Sequence, residues 1–191
     1  MIKPQFRPST WDEDIFRSVV IKNEYKIPTN LKEVLVIDIG AHIGSFTWLC
    51  DQLRSPFICS FEVLESNFKV LEQWAKDKPY IEVSNKAVWT TGEKKIKIPR
   101  PTEALLSENT GGFSIMQKVE DEVEIDAVSL NDILYALSKV IDNQKERILV
   151  KLDCEGSEYP ILFTSTLLNM VDYICGEYHE SHRLTGTSLK N

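Results

Sequence analysis

The chain has no apolar run approaching eighteen residues, so nothing in it reads as a membrane-spanning helix. Its opening residues, Met1 to Arg7, lack the apolar stretch of a secretory leader. Cysteine is scarce: Cys50, Cys59, Cys154 and Cys175 stand far apart with no C-x-x-C pair, which points to reduced thiols rather than disulfides. These absences predict a cytoplasmic protein without a membrane partner. A basic excess is missing too. With 22 basic and 29 acidic residues among 191, the net charge of −7 gives a field that repels nucleic acid, leaving only a local basic patch for a polyanion. No internal repeat or low-complexity tract appears, and the length suits one domain able to bury its own core.

What is present is alternation. Residues 1–30 read as a leading helical segment: Thr10 and Glu13 have capping-box spacing before a helix carrying Trp11, Ile15 and Val19, placed to pack on a sheet or lid a ligand. Residues 31–191 then read as a single α/β domain. Strands are predicted at Val34–Ile39, Phe57–Glu62, Ile81–Ser84, Ile148–Leu152 and Tyr173–His179, with intervening helices at about Ser66–Lys76 and from Ser129 onward. In that second helix Ser129 and Asp132 form the start, and Leu130, Ile133, Leu134, Leu137 and Ile141 form the stripe. Such a pattern predicts a parallel sheet with helices on both faces. It is interrupted at about residues 90–127, where Lys94–Ile98 and Glu122–Ile125 alternate with period two around Gly111-Gly112. That stretch reads as a β insertion whose Gly111–Ile115 segment forms either a flap over a ligand or a plain hairpin turn.

The first strand ends in Asp38-Ile39-Gly40-Ala41-His42-Ile43-Gly44, and Glu62 follows twenty-two positions after Gly40 at the end of the second. Glycines between a strand and a helix let backbone approach a ligand closely, and an acid at that distance can accept hydrogen bonds from both ribose hydroxyls. A nucleoside ligand is therefore expected. His42 stands where a dinucleotide motif has its middle glycine, and Asp38 at the mouth of the turn would repel a pyrophosphate but attract ammonium and sulfonium groups, so S-adenosylmethionine is favoured over NAD. Gly40, His42 and Gly44 would surround the methionine portion with Asp38, while Val63 and Asn85 would flank the adenine.

Six blocks in order, Val36–Gly44, Phe61–Val63, Asn85–Val88, Val128–Asp132, Val150–Glu158 and Glu177–His179, resemble the FkbM family of S-adenosylmethionine-dependent methyltransferases over roughly residues 34–180. The resemblance implies a Rossmann-like class I methyltransferase sheet and O-methylation of a hydroxyl on a sugar or other small metabolite. His42 and Val63 depart from the residues usual at their places. Only 180–191 follow the last strand, so the chain is expected to lack the usual closing strand pair and to leave a sheet edge that a second copy can cover. The alternatives are a methyltransferase-like domain acting only in binding or assembly and, behind it, an NAD-dependent oxidoreductase.

Methyl transfer requires alignment of nucleophile and methyl group together with a proton acceptor. Asp153 and Glu155 follow the fourth parallel strand, and Glu177 and His179 end the fifth, which makes these four the catalytic candidates. His179 has a suitable ordinary pKa, whereas a carboxylate needs burial or a like-charged neighbour, and Glu158 adds to that crowding. No ligand pattern diagnostic of a metal is present, and Lys151 with Asp153 reads as a structural ion pair.

Overall fold

The structure, a computed structural model, describes residues 3–102, 110–116, 119–139 and 146–179. Ile141 of the expected helical stripe and the 180–191 tail lie outside the described residues, as does any closing strand pair there.

Eight strands are described: β1 (Val34–Ile39), β2 (Ile58–Phe61), β3 (Ile81–Ser84), β4 (Ala87–Trp89), β5 (Lys95–Pro99), β6 (Glu122–Ser129), β7 (Arg147–Leu152) and β8 (Tyr173–Gly176). The main sheet runs β3-β2-β1-β7-β8 with every pairing parallel. Order reverses between β1 and β7, and this is the switch point of a Rossmann-like sheet, where a crevice opens beyond the carboxyl ends of the strands.

Period-two alternation divides each central strand between two layers. Ile37, Ile39, Ile148, Val150 and Leu152 face one side, where they pack against Leu130, Ile133, Leu134 and Leu137 of α4 (Leu130–Ser138) and Ile161 of α5 (Glu158–Thr164). Val34, Val36, Ile58 and Leu149 face the other. There they meet Phe46 and Cys50 of α2 (Ser45–Gln52), Ala75 of α3 (Glu65–Ala75), and Val19, Ile27 and Leu31 of the leading segment. That segment is thus built into the core. Its helix α1 (Asp12–Phe16) continues as a π turn over Arg17–Ile21.

Two local expectations are corrected. Ser129 does cap α4, its hydroxyl accepting from the Asp132 amide while the Asp132 carboxylate receives the Ser129 amide. Thr10 and Glu13, by contrast, form no capping box, because Asp12 turns inward to Arg7 and α1 starts without a side-chain cap. The inserted strands form a second sheet, β4-β6-β5. Among the described residues only β5 and β6 pair antiparallel, and the chain between them is too long for a hairpin. Gly111-Gly112 instead travels back over the carboxyl ends of the main strands. β8 lies at the edge of the main sheet among the described residues and exposes about half of Tyr173 and Ile174. No helix among the described residues is long and apolar enough to cross a membrane.

Candidate active site

The turn after β1 is held from below by a buried charge pair. Asp38 is fully buried on the α2 side of β1, accepts from the Thr47 hydroxyl at 2.7 Å, and has its other oxygen 3.3 Å from Lys151 Nζ without a well-directed hydrogen bond. Lys151 donates to the Gly40 carbonyl at 2.7 Å. Burial disfavours its charge, but Asp38 and Asp153 outweigh that and hold its pKa above the ordinary lysine value. Asp38 borders neither cavity described below. Its expected place at the mouth is therefore corrected: alternation puts it beside Lys151 and Thr47, where its charge is spent inside the protein. The expected Lys151–Asp153 pair is correspondingly loose, at 4.0 Å.

Above this pair the glycines are obligatory. Gly40 (φ +76°) lies so near the Asp153 carbonyl that an added Cβ would stand 1.9 Å from its oxygen, and Gly44 (φ +93°) would place one 2.6 Å from Leu71. Gly44 therefore starts α2 and packs on α3 rather than bordering a cavity.

Two cavities meet over the turn. The first, about 60 Å³, is bordered by Gly40, His42, Glu62 and Val63, by Asn67 of α3, by Lys86, Ala87 and Val88, and by the Thr110–Ile115 segment. Glu62 is 5% exposed and accepts from the His42 amide at 2.8 Å, the Leu64 amide at 2.9 Å and the Asn67 side chain at 3.3 Å. Burial raises its pKa, against the pull of these donors. Its Oε2 receives only the His42 amide among these bonds, which leaves acceptor capacity toward the cavity. Asn85 is exposed and ties β3 to β2 by donating to the carbonyls of Glu62 and Val63, so it stands behind this wall rather than in it.

The second cavity, about 300 Å³, lies under the leading segment, with Trp11, Asp14, Ile15, Glu24 and Tyr25 on one wall and Lys151, Asp153, Glu155 and Glu177 on another. Gly40, His42, Gly111, Asp153 and Glu155 border both cavities and mark their junction. Of the four catalytic candidates, Asp153 and Glu155 are at that junction, Glu177 is in the second cavity, and His179 stands one layer behind. The His179 ring faces carboxylates from both nitrogens: Nδ1 is 3.3 Å from Glu158, and Nε2 is 3.4 Å from Glu155 and 3.6 Å from Glu177. Burial opposes its charge, but Glu155, Glu158 and Asp153 raise its pKa. The Glu155 carboxyl is raised as well, by burial and by Asp153, Glu158 and Glu177, against the pull of His179. Asp153 accepts the Tyr25 hydroxyl at 2.5 Å. Ligand atoms of Asp153, Glu177 and His179 come within 4.8 Å of one another, a spacing a divalent cation can bridge. Cys154, its thiol pushed well up by burial, offers no nucleophile.

A polar clasp spans the site that spacing alone did not reveal. Arg7 grips Asp12 with its amide, Nε and terminal nitrogen at 2.8–2.9 Å and donates to the Thr110 hydroxyl at 3.0 Å. His42 Nε2 is 2.8 Å from the same hydroxyl, and Asn67 donates to the Thr110 carbonyl at 3.0 Å. Burial and Arg7 push the His42 pKa down to about 4, against the opposing pull of Asp12. Further along, the Ser114 hydroxyl donates to the Glu155 carbonyl, while Phe113 and Ile115 sink into a cluster with Leu64, Ala87 and Ile98. The clasp joins four separate stretches of chain, at Arg7 with Asp12, His42, Asn67 and Thr110, so local sequence marks only His42, in the glycine turn, and Asn67, five residues after Glu62.

No protein-family model matches the chain. No curated protein matches it either. Among solved structures it is similar to the crystal structure of methyltransferase FkbM from Methylobacillus flagellatus KT, at 21% sequence identity over 76% of this chain and 32% of that one, with a TM-score of 0.44. The chain spans about a third of that protein's length.

Proposed function

We propose that the protein is an S-adenosylmethionine-dependent O-methyltransferase acting on a hydroxyl of a small metabolite. The observation that carries this reading is the junction of the wall built by Glu62 and the glycine turn with a carboxylate-lined cavity at Asp153 and Glu155. Cofactor choice rests on charge. Asp153, Glu155 and Glu177 confront whatever follows the ribose, and the one lysine beside them among the described residues is committed to Asp38 and Gly40; a pyrophosphate is repelled there, whereas a sulfonium and an ammonium are attracted.

In this reading Glu62 holds the ribose hydroxyls, Gly40 and His42 pass the methionine portion over the turn, and Val63 with Ala87 and Val88 borders the base. Thr110–Ile115 lifts for the cofactor to enter and then excludes water. Bound, the cofactor would supply a methyl group on an electrophilic sulfonium. Tyr25 donates its hydroxyl to Asp153 beside the junction and fixes that carboxylate's orientation. Glu155, its basicity increased by burial and crowding, accepts the acceptor's hydroxyl proton, and His179 orients it from behind.

Isothermal titration tests the cofactor: S-adenosylmethionine is expected to bind and NAD not. Glu62→Gln should weaken binding by about 10- to 100-fold, the worth of a charge-assisted hydrogen bond. Binding of NAD alone, or an unchanged affinity in Glu62→Gln, refutes the assignment. Glu155→Gln should retain the cofactor and lose turnover.

A further inference from the structure

The cavity under the leading segment has a composition that the transfer of a methyl group does not require. Among the described residues five carboxylates border it, Asp14, Glu24, Asp153, Glu155 and Glu177. Lys151 is the one lysine or arginine on its wall among the described residues, is 3% exposed, and is consumed by Gly40 and Asp38. His42, also on the wall, is kept neutral by its burial. The carboxylates belong to separate elements, Asp14 to α1, Glu24 to the turn after it, Asp153 and Glu155 to the loop after β7, and Glu177 to the end of β8, so folding alone has gathered them.

A second observation indicates that a polar ligand completes this cavity. His42 Nδ1 and Ser45 Oγ, on side chains 8% and 2% exposed, have no hydrogen-bond partner among the described residues, and both residues border it. Buried polar atoms are almost always paired, so two orphans on one cavity wall mark the place of missing partners.

We infer that the methyl acceptor is a cation: a polyhydroxylated small molecule carrying a protonated amine, with the amine seated among Asp14, Glu24 and Glu177 and the reacting hydroxyl at Asp153 and Glu155. This rests on the methyl-transfer reading of the same site. The cofactor's own charges sum to +1, from a sulfonium, an ammonium and a carboxylate, which leaves most of the five carboxylates uncompensated. Burial and repulsion from Glu177 and Asp153 already raise the Glu24 pKa, and an ammonium relieves that repulsion. An amine fits this distribution better than a metal ion does. The carboxylates surround the cavity from several sides instead of converging, and His179, in the group that does converge, has a carboxylate beside each nitrogen and so favours its protonated form. Trp11, half exposed at the rim, offers a ring face to a sugar-like ring or to the cation.

The test uses one ring in three charge states, glucosamine, glucose and glucuronate, titrated at mildly acidic pH into the full chain saturated with S-adenosylhomocysteine. Glucosamine is expected to bind at least about tenfold more tightly than glucose, and glucuronate more weakly than either. The double substitution Asp14→Asn with Glu24→Gln, on the cavity's outer wall, should shrink the amine preference to about threefold or less while leaving S-adenosylhomocysteine affinity unchanged. Absence of any preference among the three sugars, whether all bind or none does, overturns the inference. So does a preference that survives the double substitution, or one erased by added Mg²⁺. Failure of the methyl-transfer reading is seen separately, as no binding of S-adenosylhomocysteine at the outset.

Discussion

Replacement of Lys151 by methionine isolates the charge pair on which the glycine turn rests. The ammonium sits 2.7 Å from the Gly40 carbonyl and 3.3 Å from Asp38, whose carboxylate is fully buried and has the Thr47 hydroxyl as its remaining strong donor. Lys151→Met therefore leaves a buried carboxylate without its cation, which costs about 3–5 kcal/mol. At this chain length each kcal/mol lowers the melting temperature by about 2–4 °C, so the variant should melt roughly 6–20 °C below the wild type. The double variant Lys151→Met with Asp38→Asn removes both charges and should recover at least about half of the loss, because a buried pair is worth little against neutral residues of similar size. Differential scanning calorimetry gives both numbers. A single variant within about 2 °C of wild type, or a double variant no better than the single, refutes the structural role given to the pair. Asp38→Asn alone separates the two readings of Asp38. As a buried partner of Lys151 it should affect stability and leave S-adenosylmethionine affinity within about threefold, whereas a direct contact with the cofactor would lower affinity about tenfold or more.

Two further outcomes follow from the clasp over the site. Asp12→Asn deprives Arg7 of its charge partner and should destabilise the protein by about 2–3 kcal/mol, and backbone amides of Thr110–Ile115 should lose hydrogen-exchange protection relative to β1; equal protection in both proteins would detach the loop from Arg7 and Asp12. For His42 the folded pKa lies below the unfolded one, 6.5 falling to about 4, so as pH drops the unfolded chain takes up a proton first. His42 thus contributes no penalty above about pH 6.5 and lowers stability progressively toward pH 4, by about 3 kcal/mol in all. Urea unfolding of wild type and His42→Asn across that window should diverge by this amount, and parallel profiles would refute it.

The order of elements in this protein was legible in its sequence because it depends on local pattern. A short β-branched apolar run such as Val34-Leu35-Val36-Ile37, bounded by a glycine turn, reads as a strand covered on both faces, and β1 contains it. The switch from period two to a helical stripe at Ser129, with its reciprocal cap, placed α4. Gly40 and Glu62 were legible too, since a turn needing φ > 0 and an acid ending the next strand leave a spacing signature. Asp38 was misplaced because strand alternation, not distance from the turn, decides which layer a side chain enters: its face is that of Lys151 and Ser60 beneath α2, away from the mouth. Only tertiary structure decided the rest. Arg7, Asp12, His42, Asn67 and Thr110 meet across more than a hundred residues of chain, and Asp14, Glu24 and Glu177 come to share one cavity with Asp153. A charged residue on an exposed turn and one that lines a site look alike in sequence. What distinguishes them is the water the fold removes, and that is a property of the packed molecule.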